Sequence, residues 1–215
     1  MLLIKAENAV TAWKKALATL LREGSETDNT KYFRDEPALI ELSKPSIEPS
    51  DPLFPMPQKD LDVINRFIFT GEKEDQVCHD WTRIYYHRMF DEPNSQIRFL
   101  IEKLKCDEPA GEAQMSMWDK SVDQEREISP CIQIVWGRKR GGSLELHVHA
   151  HSSDAYGKLL MNLQEFISLQ HYLASELGLK VGRYIHFLDS CHVHTEDVEA
   201  AEAVVTRFAA AEIAS

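Results

Sequence analysis

Apolar side chains recur at helical spacing over residues 6–22, where Val10, Trp13, Leu17, Leu20 and Leu21 form one stripe that Gly24 and Ser25 bring to a stop. A second helix is predicted over residues 59–70, closed by Gly71. A third spans 95–105, where Ile97, Leu100, Ile101 and Leu104 share a face and Asn94 or Ser95 supplies the cap. Residues 82–90, with Tyr85, Tyr86 and Phe90, read as helical or partly extended, and residues 115–118 as a short strand. The period then changes. Residues 131–136 and 143–151 alternate apolar with polar positions, and Arg138 to Gly142 reads as the turn between them, so the pair is predicted to be a β-hairpin. A long apolar helix follows over 163–177, stopped by Gly178, then a strand over 184–188 and an alanine- and glutamate-rich helix over 196–211. Six prolines between residues 37 and 58 exclude a regular helix or a central strand there. The interspersed Leu39, Ile40, Leu42, Leu53 and Phe54 argue for an extended connection wrapped over the surface. The pattern predicts an α/β (α+β) fold, a mixed sheet flanked by helices, in one domain over residues 1–215.

Composition narrows the function. A chain of 215 residues with 43% hydrophobic and 27% charged residues can bury one substantial core. A net charge of -11 gives it little attraction for nucleic acid or anionic membranes, so any bound phosphate needs a local pocket. Cys78, Cys106, Cys131 and Cys191 are widely and irregularly spaced, which argues against a disulfide framework and for free thiols in the cytoplasm. The apolar Met1-Leu-Leu-Ile start meets Lys5 and Glu7 at once and is too short for a signal-peptide core or a membrane span.

The chemistry concentrates between residues 129 and 194. Pro130-Cys131 opens the first hairpin strand, and His151-Ser152-Ser153-Asp154 ends the second. Asn162 precedes the predicted long helix, Val181-Gly182 leads into the last strand, and His192-Val193-His194 follows it. In this order and spacing the segment resembles the thymidylate synthase and deoxycytidylate hydroxymethylase family over about a third of the chain. A looser likeness extends back over Cys106-Asp107, and residues 1–80 give no match. The resemblance implies a thymidylate synthase-like twisted sheet, a homodimer packed sheet to sheet, 5,10-methylenetetrahydrofolate as cofactor, and a pyrimidine substrate. Cys131 would be the nucleophile that adds to C6 of the ring and so activates C5, a task for a cysteine whose thiolate is favoured by its surroundings. Asn162 would read the pyrimidine edge, leaning toward uracil, since its amide offers a donor and an acceptor. Asp154 would serve catalysis and the pterin, and Trp118 the cofactor side. His151, Ser152, Ser153, His192, His194 and Tyr85 would line the substrate.

Departures from the family pattern bear on the phosphate. His151 and His194 stand where the family carries an arginine and a tyrosine, and Gly111-Glu112 where it carries an arginine pair. Glycine and glutamate cannot replace the guanidinium fork that grips a phosphate. Either Arg138, Lys139 or Arg140 takes it, or the substrate is a nucleoside without one. Two other readings compete. His147, His149 and His151 alternate on one strand and with Asp154 could hold zinc or iron in a hydrolase or oxygenase, with His186, His192 and His194 nearby. Alternatively the chain is a non-catalytic relative whose pocket has decayed. The compact tail and the missing cofactor-side tryptophans suggest a wetter site, which tilts the product from methyl toward hydroxymethyl.

Overall fold

The computed structural model describes residues 1–28, 30–91, 93–106 and 111–213; Asp107 lies outside them. The elements run β1 (Leu2–Ala6), α1 (Ala9–Glu23), β2 (Tyr32–Leu42), α2 (Gln58–Thr70), α3 (Asp80–Phe90), α4 (Gln96–Lys105), β3 (Gln114–Ser116), α5 (Lys120–Asp123), β4 (Ile132–Arg140), β5 (Ser143–Asp154), α6 (Leu159–Glu176), β6 (Lys180–His194) and α7 (Val198–Ile213). Six strands form one mixed sheet in the order β1-β2-β6-β5-β4-β3. The β1/β2 and β5/β6 pairs are parallel, the others antiparallel. The fold is the expected mixed α/β architecture.

The hairpin follows its turn chemistry. Gly141 and Gly142 both have positive φ, 55° and 76°, as a two-residue connection of primed type demands, so β4 runs on to Arg140 and only two residues turn. Gly178, at φ 63°, stands just past the end of α6 and releases the chain into β6. Ser95 caps α4 by accepting a hydrogen bond from the Arg98 amide.

Two expectations needed correction, and one strand was not anticipated. The proline-rich stretch was expected to hold no central strand, yet β2 carries Pro37 between β1 and β6. The missing N–H is tolerated because pairing with β1 begins only at Ala38, and the register with β6 shifts between Glu36 and Ala38. The start of the chain is a strand: Leu2 and Ile4 are buried while Leu3 is exposed, an alternation too short to read without its parallel partner. Helix α6 begins four residues before the predicted start, because Leu159, Leu160 and Met161 are all fully buried. Asn162 therefore sits inside the first turn, and Lys158 occupies the N-cap.

The helices cover one face of the sheet. Leu144, Leu146, Val148 and Ala150 of β5 and Tyr184, His186 and Leu188 of β6 are buried on that side. The alternate residues point away, and among the described residues no helix covers them: Ile134 is exposed, and Trp136, Ile185 and Phe187 are half-buried. The N-terminal part is built into the same core. Trp13 is fully buried, its indole N–H donates to the Ala155 carbonyl at 2.9 Å, and Phe54 from the proline-rich connection packs on its ring edge-on. No helix among the described residues is long and apolar enough to cross a membrane.

Candidate active site

Strands β5 and β6 are parallel, so their C-terminal ends reach the same edge of the sheet, where the start of β2, the residue before β4 and the N-terminal ends of α3 and α6 also converge. A cleft of about 200 Å³ opens there. It brings together Cys131, Ser152, Ser153, Asp154, Asn162, His192, His194 and Tyr85.

Cys131 lies half-buried at the mouth of β4, and the Ser152 hydroxyl donates to its sulfur at 3.8 Å. Burial pushes the thiol above its ordinary range, while the Ser152 hydrogen bond and the positive charge of Lys158 pull it down. On another wall the Asn162 side chain is buried, and its amide donates to the Ser153 hydroxyl at 3.2 Å. One N–H and the carbonyl oxygen of that amide stay available for a ring edge. Tyr85 is buried in the same cleft wall, and its hydroxyl accepts the Ile132 amide at 3.1 Å, which holds the start of β4 next to the cysteine.

Asp154 binds its own turn: its carboxylate accepts the amides of Tyr156 at 3.0 Å and Gly157 at 3.1 Å. A Cβ on Gly157 would sit 2.6 Å from that carboxylate, so the close approach requires glycine. Burial raises the Asp154 carboxyl above the usual carboxylate range. His192 stacks on Tyr32 with ring centroids 4.0 Å apart, and His194 meets the same ring edge-on at 5.3 Å. Ser190 joins the His192 ring to Asp35 through contacts of 3.1 and 2.8 Å. Burial drives His192 down to about 4, so it is neutral at pH 7.

Two expected members stand apart. His151 does not line the cleft; its ring lies 3.2 Å from the Gln133 amide, and its backbone N–H donates to the Cys131 carbonyl at 2.9 Å, which ties β5 to the nucleophile's backbone. Trp118 is half-buried beyond β3 and is not in the cleft wall. Arg138 and Arg140 both turn to Glu145, at 2.8 and 3.7 Å, and neither lines the cleft; Glu112 pairs with Lys103 at 2.9 Å. His147, His149 and His151 do share a face, but it is the face opposite α6, where His149 pairs with Asp189 at 2.9 Å. Among the described residues no group of three histidines, cysteines or carboxylates is placed to hold a metal ion.

Lys31, Tyr32, His79, Trp81 and Lys158 also line the cleft. Lys31 and Tyr32 come from a segment with no sequence likeness to guide the eye. Lys158 lies ahead of the helix predicted from residue 163, so no local pattern marks it as part of the site. His79 precedes α3, and burial pushes it to about 4. A neighbouring groove of about 410 Å³ shares Lys158 with the cleft and is lined by Pro55, Met56, Tyr156, Asp60 and Asp197.

Comparison with known proteins places this geometry. The chain is 27% identical to a protein named "Putative thymidylate synthase" from Methanocaldococcus jannaschii, over 91% of this chain and 92% of that one. It is 28% identical to the deoxyuridylate hydroxymethyltransferase of Bacillus phage SP01, over 54% of this chain and 32% of that protein. It is 24% identical to a thymidylate synthase of Listeria monocytogenes, over 52% of this chain and 36% of that enzyme. The likeness thus runs through nearly the whole length of the compact archaeal relative but only about a third of the longer ones. Residues 68–214 match the family described as thymidylate synthase, and the chain belongs to that family.

Proposed function

We propose that the protein transfers a one-carbon unit to C5 of a pyrimidine nucleotide or nucleoside, with Cys131 as the nucleophile at C6. The observation that carries this reading is the Cys131 thiol and the Asn162 amide lining one cleft, with the sulfur open to it rather than packed in hydrocarbon. Addition of the thiolate at C6 places negative charge on O4 and makes C5 nucleophilic. The free N–H of Asn162 can donate to O4 as that charge develops, and its carbonyl can accept N3–H, the pattern of uracil. Asp154, held by its turn, and Ser153, held by Asn162, keep the wall rigid.

The family normally uses methylenetetrahydrofolate. The groove beside the cleft fits such a group: Tyr156 and Met56 offer flat apolar contact for a pterin, and Asp60 and Asp197 offer acceptors for its amino edge. That cofactor supplies the carbon. Trp118 does not line this groove, so Tyr156 is the better ring to test. The uncovered sheet face, with Leu3 65% and Ile134 38% exposed, supports pairing of two copies sheet to sheet.

Among the described residues no arginine lines the cleft, and Lys31 and Lys158 are its only lysines. A phosphate would therefore be gripped weakly, which favours a nucleoside or extends the range to one. Comparable Kd values for deoxyuridine and its monophosphate support that; a hundredfold preference for the monophosphate overturns it. The reaction itself is tested by release of tritium from C5 of labelled uracil and cytosine nucleosides and nucleotides, which requires only thiol addition. Release from a uracil substrate supports the assignment. Silence with every substrate sinks it and leaves a binding role for the cleft. The mass of the product, methyl or hydroxymethyl, then reports how much water the site admits.

A further inference from the structure

The side chain of Lys158 has no assigned task. It stands at the N-cap of α6 but caps nothing, and no hydrogen bond or ion pair engages its ammonium among the described residues. In a chain with a net charge of -11, an unpaired lysine at the mouth of the nucleophile's cleft is conspicuous. It lines the cleft with Cys131 and His79, and the adjoining groove with Asp60 and Asp197.

Cys131 needs such a charge. A half-buried thiol loses solvation on ionising, and the single hydroxyl of Ser152 is a weak replacement for water. The residue next to Ser152 on β5, His151, turns its ring to Gln133. From α3 and the turn before it, Tyr85 is committed to the Ile132 amide and His79 is neutral at pH 7. From β6, His192 is neutral and His194 packs against Tyr32. Asp154 on β5 adds only negative charge once ionised. Lys31 reaches over the Tyr32 ring. Lys158 lines the same cleft as the sulfur, where its positive charge favours the thiolate.

We propose that Lys158 supplies the positive charge that holds Cys131 as its thiolate, so that a lysine at the start of α6 does what no basic side chain on the neighbouring strands can do. Lys158 acts through Cys131 and not on the substrate, and the proposal rests on Cys131 being the nucleophile. Its proton goes to solvent, and the ammonium stays protonated throughout.

The test needs no substrate. Cys78 and Cys106 are exposed and are changed to serine; Cys191 is fully buried. Iodoacetamide then reads Cys131: the thiolate displaces iodide and forms a thioether, followed by mass spectrometry of the Cys131 peptide across pH. Lys158→Gln is expected to move the pH profile up by about one unit, which slows alkylation at pH 7 about tenfold, with the plateau rate at high pH unchanged. Lys158→Arg should keep the original profile. Because Lys158 is exposed, neither change removes buried packing. In the unmutated chain, salt near 1 M, where the Debye length is about 3 Å, should move the profile in the same direction as Lys158→Gln. A Lys158→Gln profile that overlies the original, or one shared by Lys158→Arg and Lys158→Gln, overturns the proposal. If C5 tritium release fails while the alkylation shift holds, the reaction assignment falls and the electrostatic coupling stands.

Discussion

Two groups of histidines, one on the sheet's open face and one in the cleft at its end, differ in what surrounds them. His147 and His149 lie on the face that no helix covers among the described residues, where His149 pairs with Asp189 and His147 rests on the Trp136 ring, partly buried and lowered from its ordinary value by that burial. His79 and His192 lie in the cleft at the sheet's end, and burial pushes both to about 4. The alternating His-x-His-x-His run draws more attention in the sequence, yet the cleft is built from the less conspicuous pair. A shared face is a local property of a strand, whereas the side on which helices pack is not.

That contrast can be attacked by substitution. The largest effect is expected at Cys131: Cys131→Ser should cut tritium release from C5 at least about a thousandfold, while His149→Gln leaves it within about twofold. Equal losses would erase the distinction between the two regions. On the covered side, one turn along α6 from Asn162, Glu165 is fully buried, and burial raises it to about 8 against the smaller opposing pull of the Thr82 hydroxyl. Its folded pKa lies above the ordinary value of 4.5, so the unfolded chain gives up this proton first and stability falls as pH rises from there toward 8. Glu165→Gln should flatten that fall, by up to about 4 kcal/mol, in urea melts at pH 5 and 8. His192 works in the opposite direction. Its folded pKa lies below the unfolded one, so stability is lost as pH drops from about 6.5 toward 4. His192→Asn should remove about 2 kcal/mol of the loss between pH 7 and 5, measured in the same way. The smallest effect belongs to the open face: His149→Gln should change stability by less than about 0.5 kcal/mol, because an exposed side-chain contact contributes little.

Much of the architecture was legible in the chain. The hairpin rests on two glycines, and α1, α2 and α4 on stripes of apolar residues with local stops. The cleft set of Cys131, Ser152, Ser153, Asp154, Asn162, His192 and His194 came from the order of residues 129–194, and the fold gathers them at one end of the sheet. What could not be read depended on partners far along the chain. Strand β1 is five residues long and is defined by its parallel pairing with β2, and Pro37 is tolerated because of where that pairing begins. The Trp13 indole reaches Ala155, 142 residues away, and so ties the N-terminal part to the turn that holds Asp154.

By itself the sequence determined the elements whose cause is local: a stripe at helical spacing, a glycine where φ must be positive, and a cysteine, an asparagine and two histidines in a recognisable order. The tertiary structure alone decided which face of the sheet is covered, which histidines lose their water, and that Lys31, Tyr32 and Lys158 join the cysteine's cleft. Those outcomes follow from desolvation and long-range packing, whose energies depend on what lies opposite in space and not on what stands next in the chain.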